Sequence, residues 1–299
     1  MQGWIPRRRI NSIVSIRLHS LKELLIFFNA RVSCSRLRSR GSCREVLRSC
    51  KEYQMKSAVE TRTSHSVWGS GLLDRVDYRL VETAEERDRI CSLRYRAYLN
   101  GGLIPPSEAQ RVYDPYDDAP NAWTLGIYVD GELCSSVRLH VLTPEWRMSH
   151  ATELFGDVLH PRLDRGEVFV DPSRLAADPE KARRFPELPY LTVRLGFMAC
   201  EYFNADTGLA LVRAEHQAFY RRVFLQETIA EPRPIPIILQ KVALMACDFR
   251  AVREKVLTRF PIMRSTSVEQ RMLFQRAGER HSPPRGVVTS FERPSIVPN

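Results

Sequence analysis

Four short groups of residues have the side-chain types to do chemistry together. Arg94 and Tyr98 stand four residues apart, which puts both on one face of a helix. Asp114 and Asp117 lie in an acidic loop from Val112 to Asp118, where two or three carboxylates attract an amine or another cation. Arg138 follows a small residue, Ser136, on the same strand face. Asp171 and Arg174 close a strand three residues apart, a spacing at which carboxylate and guanidinium can hold each other and orient a third group. Arginines can grip a carboxylate with two hydrogen bonds. Acids can take the proton that keeps an amine from being nucleophilic. Each group alone also has a bland reading: a helix-surface pair, turn residues, a salt bridge. Their weight lies in occurring together, in this order. No Ser-His-Asp or Cys-His arrangement with a recognisable context is present, so no covalent enzyme intermediate is expected.

The elements that must position these residues follow from periodicity. Val76 to Leu80 alternates like a first strand. Thr83-Ala-Glu-Glu86 is a capping box opening a helix that runs to about Tyr98. A loop over 100–121 carries the acidic cluster. Trp123 to Val129 and Glu132 to Leu142 flank Asp130-Gly131, the signature of a two-residue type I′ hairpin. Its arithmetic pairs Trp123 with Arg138 and Ile127 with Cys134. It puts Ser136, Arg138 and His140 on one face and Val137, Leu139 and Val141 on the other. A further strand is expected at Val168 to Val170, a helix over Leu188–Phe203, a strand over Leu209–Arg213 and a short helix over His216–Phe224. The last elements are a strand over Pro236–Leu244 and a helix over Ala246–Arg259. This order indicates an α/β (α+β) sandwich with a central mixed, largely antiparallel sheet.

With those pieces in place, the region from about 78 to 180 resembles the N-acyl amino acid synthases and the related acyl-homoserine-lactone synthases. Both are similar in fold to the Gcn5-related acetyltransferases, which implies an acetyltransferase-like three-layer sandwich. The matching pieces are Arg94 with Tyr98, Asp114 with Asp117, Arg138 in Val-Arg-Leu-His, and Asp171 with Arg174 in Ser-Arg-Leu-Ala. His216 to Phe224 resembles the late acetyltransferase helix that carries a tyrosine near the thioester, here Tyr220. The resemblance implies catalytic roles for Asp171, Arg138, Arg174 and Tyr220. It implies substrate contacts for Arg94, Tyr98, Asp114, Asp117, Trp123, Ser136 and Phe169. His140 and His216 are read as structural.

Departures from the family patterns refine the expectation. The lactone synthases carry a tryptophan shortly after the first helix, whereas Leu99 to Pro106 here has no aromatic to face a sulfonium cation. The acetyltransferases bind the coenzyme A pyrophosphate on a glycine-rich turn, and Leu175 to Tyr190 contains no glycine. The expected reaction is transfer of a long-chain fatty acyl group from an acyl-phosphopantetheine thioester to the amine of an amino acid. The amine attacks the thioester directly, with backbone N–H groups of Phe169 to Asp171 holding the oxyanion. The co-substrate is acyl carrier protein, or alternatively acyl-CoA, and no tightly bound cofactor or metal is expected. The alternatives are an acyl-homoserine-lactone synthase, an ordinary coenzyme A-dependent acetyltransferase, and a non-catalytic binding module on the same fold.

Composition sets the limits. The 299 residues are 43% hydrophobic and 27% charged, enough for a sizeable core. The net charge of +10 is not spread evenly. Residues 1–60 hold 13 Lys and Arg against four Glu; the remainder holds 32 against 31. A nucleic-acid partner therefore loses its main support. Residues 1–70 read as a basic extension whose Leu21, Leu24, Leu25 and Phe28 have helical spacing. It is either a segment for peripheral membrane contact or sequence upstream of a true start at Met55. Residues 76–276 read as the acyltransferase domain and 277–299 as a mobile tail. No apolar run reaches the ~20 residues of a membrane span. Seven cysteines without metal spacing fit a reducing compartment, hence a cytoplasmic enzyme.

Overall fold

The computed structural model describes residues 71–235 and 240–276. The basic extension, the tail and residues 236–239 lie outside the described residues. Within them the strands are β1 (Val76–Leu80), β2 (Ala122–Val129), β3 (Glu132–Leu142), β4 (Phe169–Ala177), β5 (Thr207–Val212), β6 (Glu227–Pro234) and β7 (Lys241–Asp248). The helices are α1 (Ala84–Asn100), α2 (His150–Asp164), α3 (Pro179–Arg184), α4 (Leu188–Tyr202), α5 (Gln217–Phe224), α6 (Phe249–Arg259) and α7 (Ser267–Phe274). The strands form one sheet in the order β1-β2-β3-β4-β5-β7-β6. All neighbours are antiparallel except β4 and β5.

The capping box at Thr83 and Glu86 forms as the sequence predicts, and α1 starts there. Asp130 and Gly131 both take positive φ, as a type I′ turn demands. The hairpin arithmetic holds only for the first two pairs, Val129 with Glu132 and Tyr128 with Leu133. A bulge then shifts the register by one, so Thr124, not Trp123, faces Arg138, and Ile127 faces Ser135. Cys134 is the extra residue. Its carbonyl accepts from the Asp178 backbone N–H, which supplies the contact the ladder gives up there.

Two layers of helix cover the sheet. Val137, Leu139 and Val141 face a large core built with α4, α5 and α6. On the other face α2 packs Ala151, Phe155, Leu159 and Leu163 against Leu142, Phe169, Leu209 and Leu244. α1 covers the same face beside it through Tyr95, Ala97 and Tyr98. α4 is buried from Leu188 through Cys200, which explains why its sequence is apolar nearly all round. Gly196 lets α4 approach β4 closely: a Cβ there would sit 2.9 Å from the Pro172 ring. Arg194 ties the C-terminal segment to α4, donating to Glu269 at 2.6 Å and to the carbonyls of Ile262 and Arg264.

The feature that matters for function is a fork. β4 and β5 pair only through Phe169 with Thr207 and Val170 with Gly208. Beyond those residues the two strands part, although each keeps its partner on the far side, β3 and β7. Their facing edges are thereby left without a neighbouring strand.

Candidate active site

The fork opens into a cleft of about 150 Å³ whose walls include Pro172 to Ala177 from β4, Leu211 and Val212 from β5, and Arg213 just beyond it. Tyr98, His150, His216 and Tyr220 complete its polar lining. Arg174 reaches the cleft because of a second bulge. From Ser136 to Arg138 β3 advances two residues while β4 runs from Ala176 to Ser173. The additional β4 residue is absorbed around Arg174, whose φ is +52°. A side-chain-bearing residue in this left-handed region costs about 1–2 kcal/mol, and such strain concentrates at functional sites.

Behind the wall the predicted charges converge. Arg174 donates to one oxygen of Asp114 at 2.8 and 2.5 Å, and Arg138 donates to the other at 2.7 Å. Arg138 also lies 3.1 Å from Asp117, which accepts from Arg94 at 2.8 Å. The result is an alternating chain, Arg94–Asp117–Arg138–Asp114–Arg174, whose side chains are all nearly excluded from water. Burial alone raises the pKa of Asp114. The His150 hydrogen bond and the charges of Arg174 and Arg138 outweigh it, so the carboxyl sits well below the usual range. Arg174 Nη2 approaches His150 Nε2 at 2.9 Å, closer than Asp114 does at 3.4 Å. His150 Nδ1 faces Glu153 at 3.1 Å.

Other expected residues are placed differently. Asp171 is fully buried on β4, is not among the residues lining the cleft, and has no hydrogen bond of ordinary length to either carboxylate oxygen among the described residues. Burial pushes its pKa up against the opposing influence of Ser149, His150 and Arg138. Tyr220 is on the wall, and burial, reinforced by the Asp171 charge, raises it above the ordinary tyrosine range. Arg94, Asp117 and Trp123 line a separate cavity at the β1–β2 edge, not the cleft. Ser136 is buried, and its hydroxyl has no hydrogen-bond partner among the described residues. The Phe169 ring is core, packed under α2, and Phe169 and Val170 already pair with β5. The oxyanion donors expected at Phe169 to Asp171 must therefore be sought further along β4.

The sequence reading missed His150, Ser173 and Arg213, and gave His216 a purely structural role although it lines the cleft. Arg213 donates to His216 at 2.6 Å, and burial with that neighbouring charge lowers the histidine to about 3. His140, by contrast, is fully buried and lines neither cavity: it meets the Tyr116 carbonyl at 3.2 Å, and burial with Arg138 holds it at about 3. His150 was recoverable from Ser149, which caps α2, and from the four-residue spacing of Ala151, Phe155, Leu159 and Leu163.

A second, apolar cavity of about 40 Å³ shares Pro172 and Tyr220 with the cleft. It runs under the fork between Gly196, Phe197, Phe224 and Phe249 and meets Cys200 and Cys247.

The family model described as N-acyl amino acid synthase FeeM matches residues 89–248, more than half of the chain. The chain belongs to the N-acyl amino acid synthase family. The enzyme is thus an N-acyltransferase. Its fold is similar to that of the N-acyl amino acid synthase FeeM from uncultured soil microbes, at 15% identity and a TM-score of 0.50. That match covers 62% of this chain and 96% of the other. TofI, solved with an inhibitor and MTA, matches at 19% identity and a TM-score of 0.45 over 62% of this chain and 96% of its own. BjaI, a CoA-dependent acyl-homoserine lactone synthase, matches at 16% identity and 0.43, over 58% and 81%. No curated protein matches in sequence. Among the described residues the synthase has no group of side chains that could hold a metal ion and no helix long and apolar enough to cross a membrane.

Proposed function

We propose that the enzyme transfers a fatty acyl group from the phosphopantetheine arm of an acyl carrier protein to the amine of an amino acid. The observation that carries this reading is the fork. Two strand edges with no strand between them offer backbone donors and acceptors to an extended, amide-bearing arm, which adds as a strand does. The thioester then lies at the junction of the polar cleft and the apolar cavity, beside Tyr220, and the acyl chain enters that cavity.

The division of labour follows from the charges. Asp171, raised by burial, is a better proton acceptor than Asp114, which three neighbours hold ionised. Asp171 takes the proton from the acceptor ammonium. The neutral amine attacks the carbonyl, the tetrahedral oxyanion is held by β4 N–H groups beyond Val170, and as it collapses the C–S bond breaks and the second proton of the nitrogen passes to the carrier sulfur, which leaves as the thiol. Tyr220 keeps its proton at neutral pH and donates a hydrogen bond to the departing sulfur rather than giving the proton up. Arg174 and Arg213, the cleft cations, receive the acceptor carboxylate. Arg138 and Asp114 set the position of Arg174.

The carrier-protein donor is supported by the segment after β4. Where a glycine-rich turn would cradle a pyrophosphate, this chain has the short helix α3. Its exposed Arg183 and Arg184, directly beyond the cleft wall, suit an acidic carrier surface. The test is mass spectrometry of lipid extracts from cells expressing the full chain, followed by assays with acyl carrier protein and acyl-CoA as donors. Amide-linked acyl amino acids, lost in Arg174→Ala, are expected. Acyl-homoserine lactones instead would identify the related synthase activity, and no acylated amine at all would leave a binding module.

A further inference from the structure

Granted the acyl-transfer reading, on which this rests, we infer that the acceptor is an amino acid with an apolar side chain and that basic and acidic amino acids are refused. Leu209 and Leu244 pack under α2. Alternate residues of a strand share a face, so Leu211 and then Arg213 follow Leu209, and Val242 precedes Leu244, on that same side of the sheet. Arg174 reaches the same side, where it meets Asp114 and His150, the first residue of α2. Tyr220 belongs to the core on the opposite side. An acceptor gripped by Arg174 and Arg213 therefore occupies the half of the cleft under α1 and α2. Its side chain there meets Leu103, Leu211, Ile235 and Val242, all of which line the cleft.

Charge decides what fits. Among the described residues no aspartate or glutamate lines the cleft. The second ammonium of a basic acceptor would lose its water beside two arginines, with no anion to replace it. A second carboxylate fares no better, because the positive charge on offer is single. In the chain of ion pairs three arginines face two aspartates, and of these five only Arg174 lines the cleft. Arg213 already faces Glu215 at 2.7 Å. One α-carboxylate completes that balance. The aliphatic wall then favours an apolar side chain over none, by roughly 10–100-fold for one fully buried.

The test gives the full chain an acyl thioester of carrier protein or of CoA together with an equimolar pool of leucine, glycine, lysine and glutamate, and reads the amides by mass spectrometry. The leucine product should exceed those of lysine and glutamate by on the order of 100-fold, the scale of an uncompensated buried charge. It should exceed that of glycine by roughly tenfold or more. Ile235→Glu puts an anion on the apolar wall, so it should raise the lysine-to-leucine ratio at least about tenfold. Leu103→Glu does the same from the end of α1 and serves if the first variant does not fold, which circular dichroism establishes. Titration calorimetry of the same amino acids on the full chain separates pocket from reaction. Leucine-selective binding without any amide refutes acyl transfer and upholds the selectivity. Lysine or glutamate products that match leucine's overturn the inference. So does a lysine-to-leucine ratio unchanged in the folded variants, or the absence of both binding and product.

Discussion

Replacing Asp171 by asparagine should make the protein more stable and less active, and the gain should grow with pH. Asp171 is fully buried, and among the described residues neither carboxylate oxygen has a hydrogen-bond partner at ordinary length. Asparagine has the same shape without the charge. The folded carboxyl binds its proton more tightly than the unfolded one, whose pKa is about 3.9. The stability contributed by the protonated form is complete below that unfolded value and is lost as pH climbs through the raised folded value. The wild type therefore weakens on that climb and Asp171→Asn does not. Leaving a buried polar group unsatisfied costs about 1–3 kcal/mol. At about 2–4 °C per kcal/mol for a domain of this size, the variant should melt roughly 2–12 °C higher at pH 8, with the difference shrinking towards pH 4. Thermal melts by circular dichroism across that range measure it. An Asp171→Asn protein that melts below wild type at pH 8, or by a difference independent of pH, would refute the reasoning. Acyl transfer by the same variant should fall about 10²-fold or more if Asp171 is the general base.

Asp114→Asn should act in the opposite sense. It strands Arg138 and Arg174 without their shared anion, costing about 3–5 kcal/mol in a urea titration at pH 7. Because the folded carboxyl is depressed, wild-type stability from Asp114 is present above about pH 4 and fades below it, so the variant's deficit should narrow in acid. Arg194→Met should cost about 3 kcal/mol and, in hydrogen exchange, unprotect residues 261–274 before the sheet. Phe249→Ala should open the apolar cavity and shift extracted products to longer acyl chains; an unchanged chain-length profile with product still formed would place the chain elsewhere.

The long elements were legible because periodicity alone defines them. α1 announces itself through its capping box, α4 through a stripe of apolar residues, and the β2–β3 hairpin through Asp130-Gly131. What escaped was decided by tertiary contacts. The bulge at Cys134 depends on Asp178, more than forty residues away, so local turn arithmetic misplaced Arg138 by one position. β6 reads as a loop because Pro232 and Pro234 interrupt it, and an edge strand tolerates prolines that a central one does not. α2 hid behind Gly156 and Pro161, which break its pattern and kink it near Phe155. The charged residues were visible as a set. Their order in space was not: the chain of ion pairs puts Arg174 at the cleft and Arg94 three strands away, a distinction no spacing in the sequence encodes.

The short β4–β5 pairing has a mechanical consequence. Among the described residues the strand pairing that joins β1–β4 to β5–β7 is limited to two residue pairs, so the sheet is two leaves on a narrow spine. An extended arm lying between the leaves completes their missing rungs. The loaded protein should accordingly resist opening along this seam better than the unloaded one, and release of the spent carrier amounts to unzipping a strand.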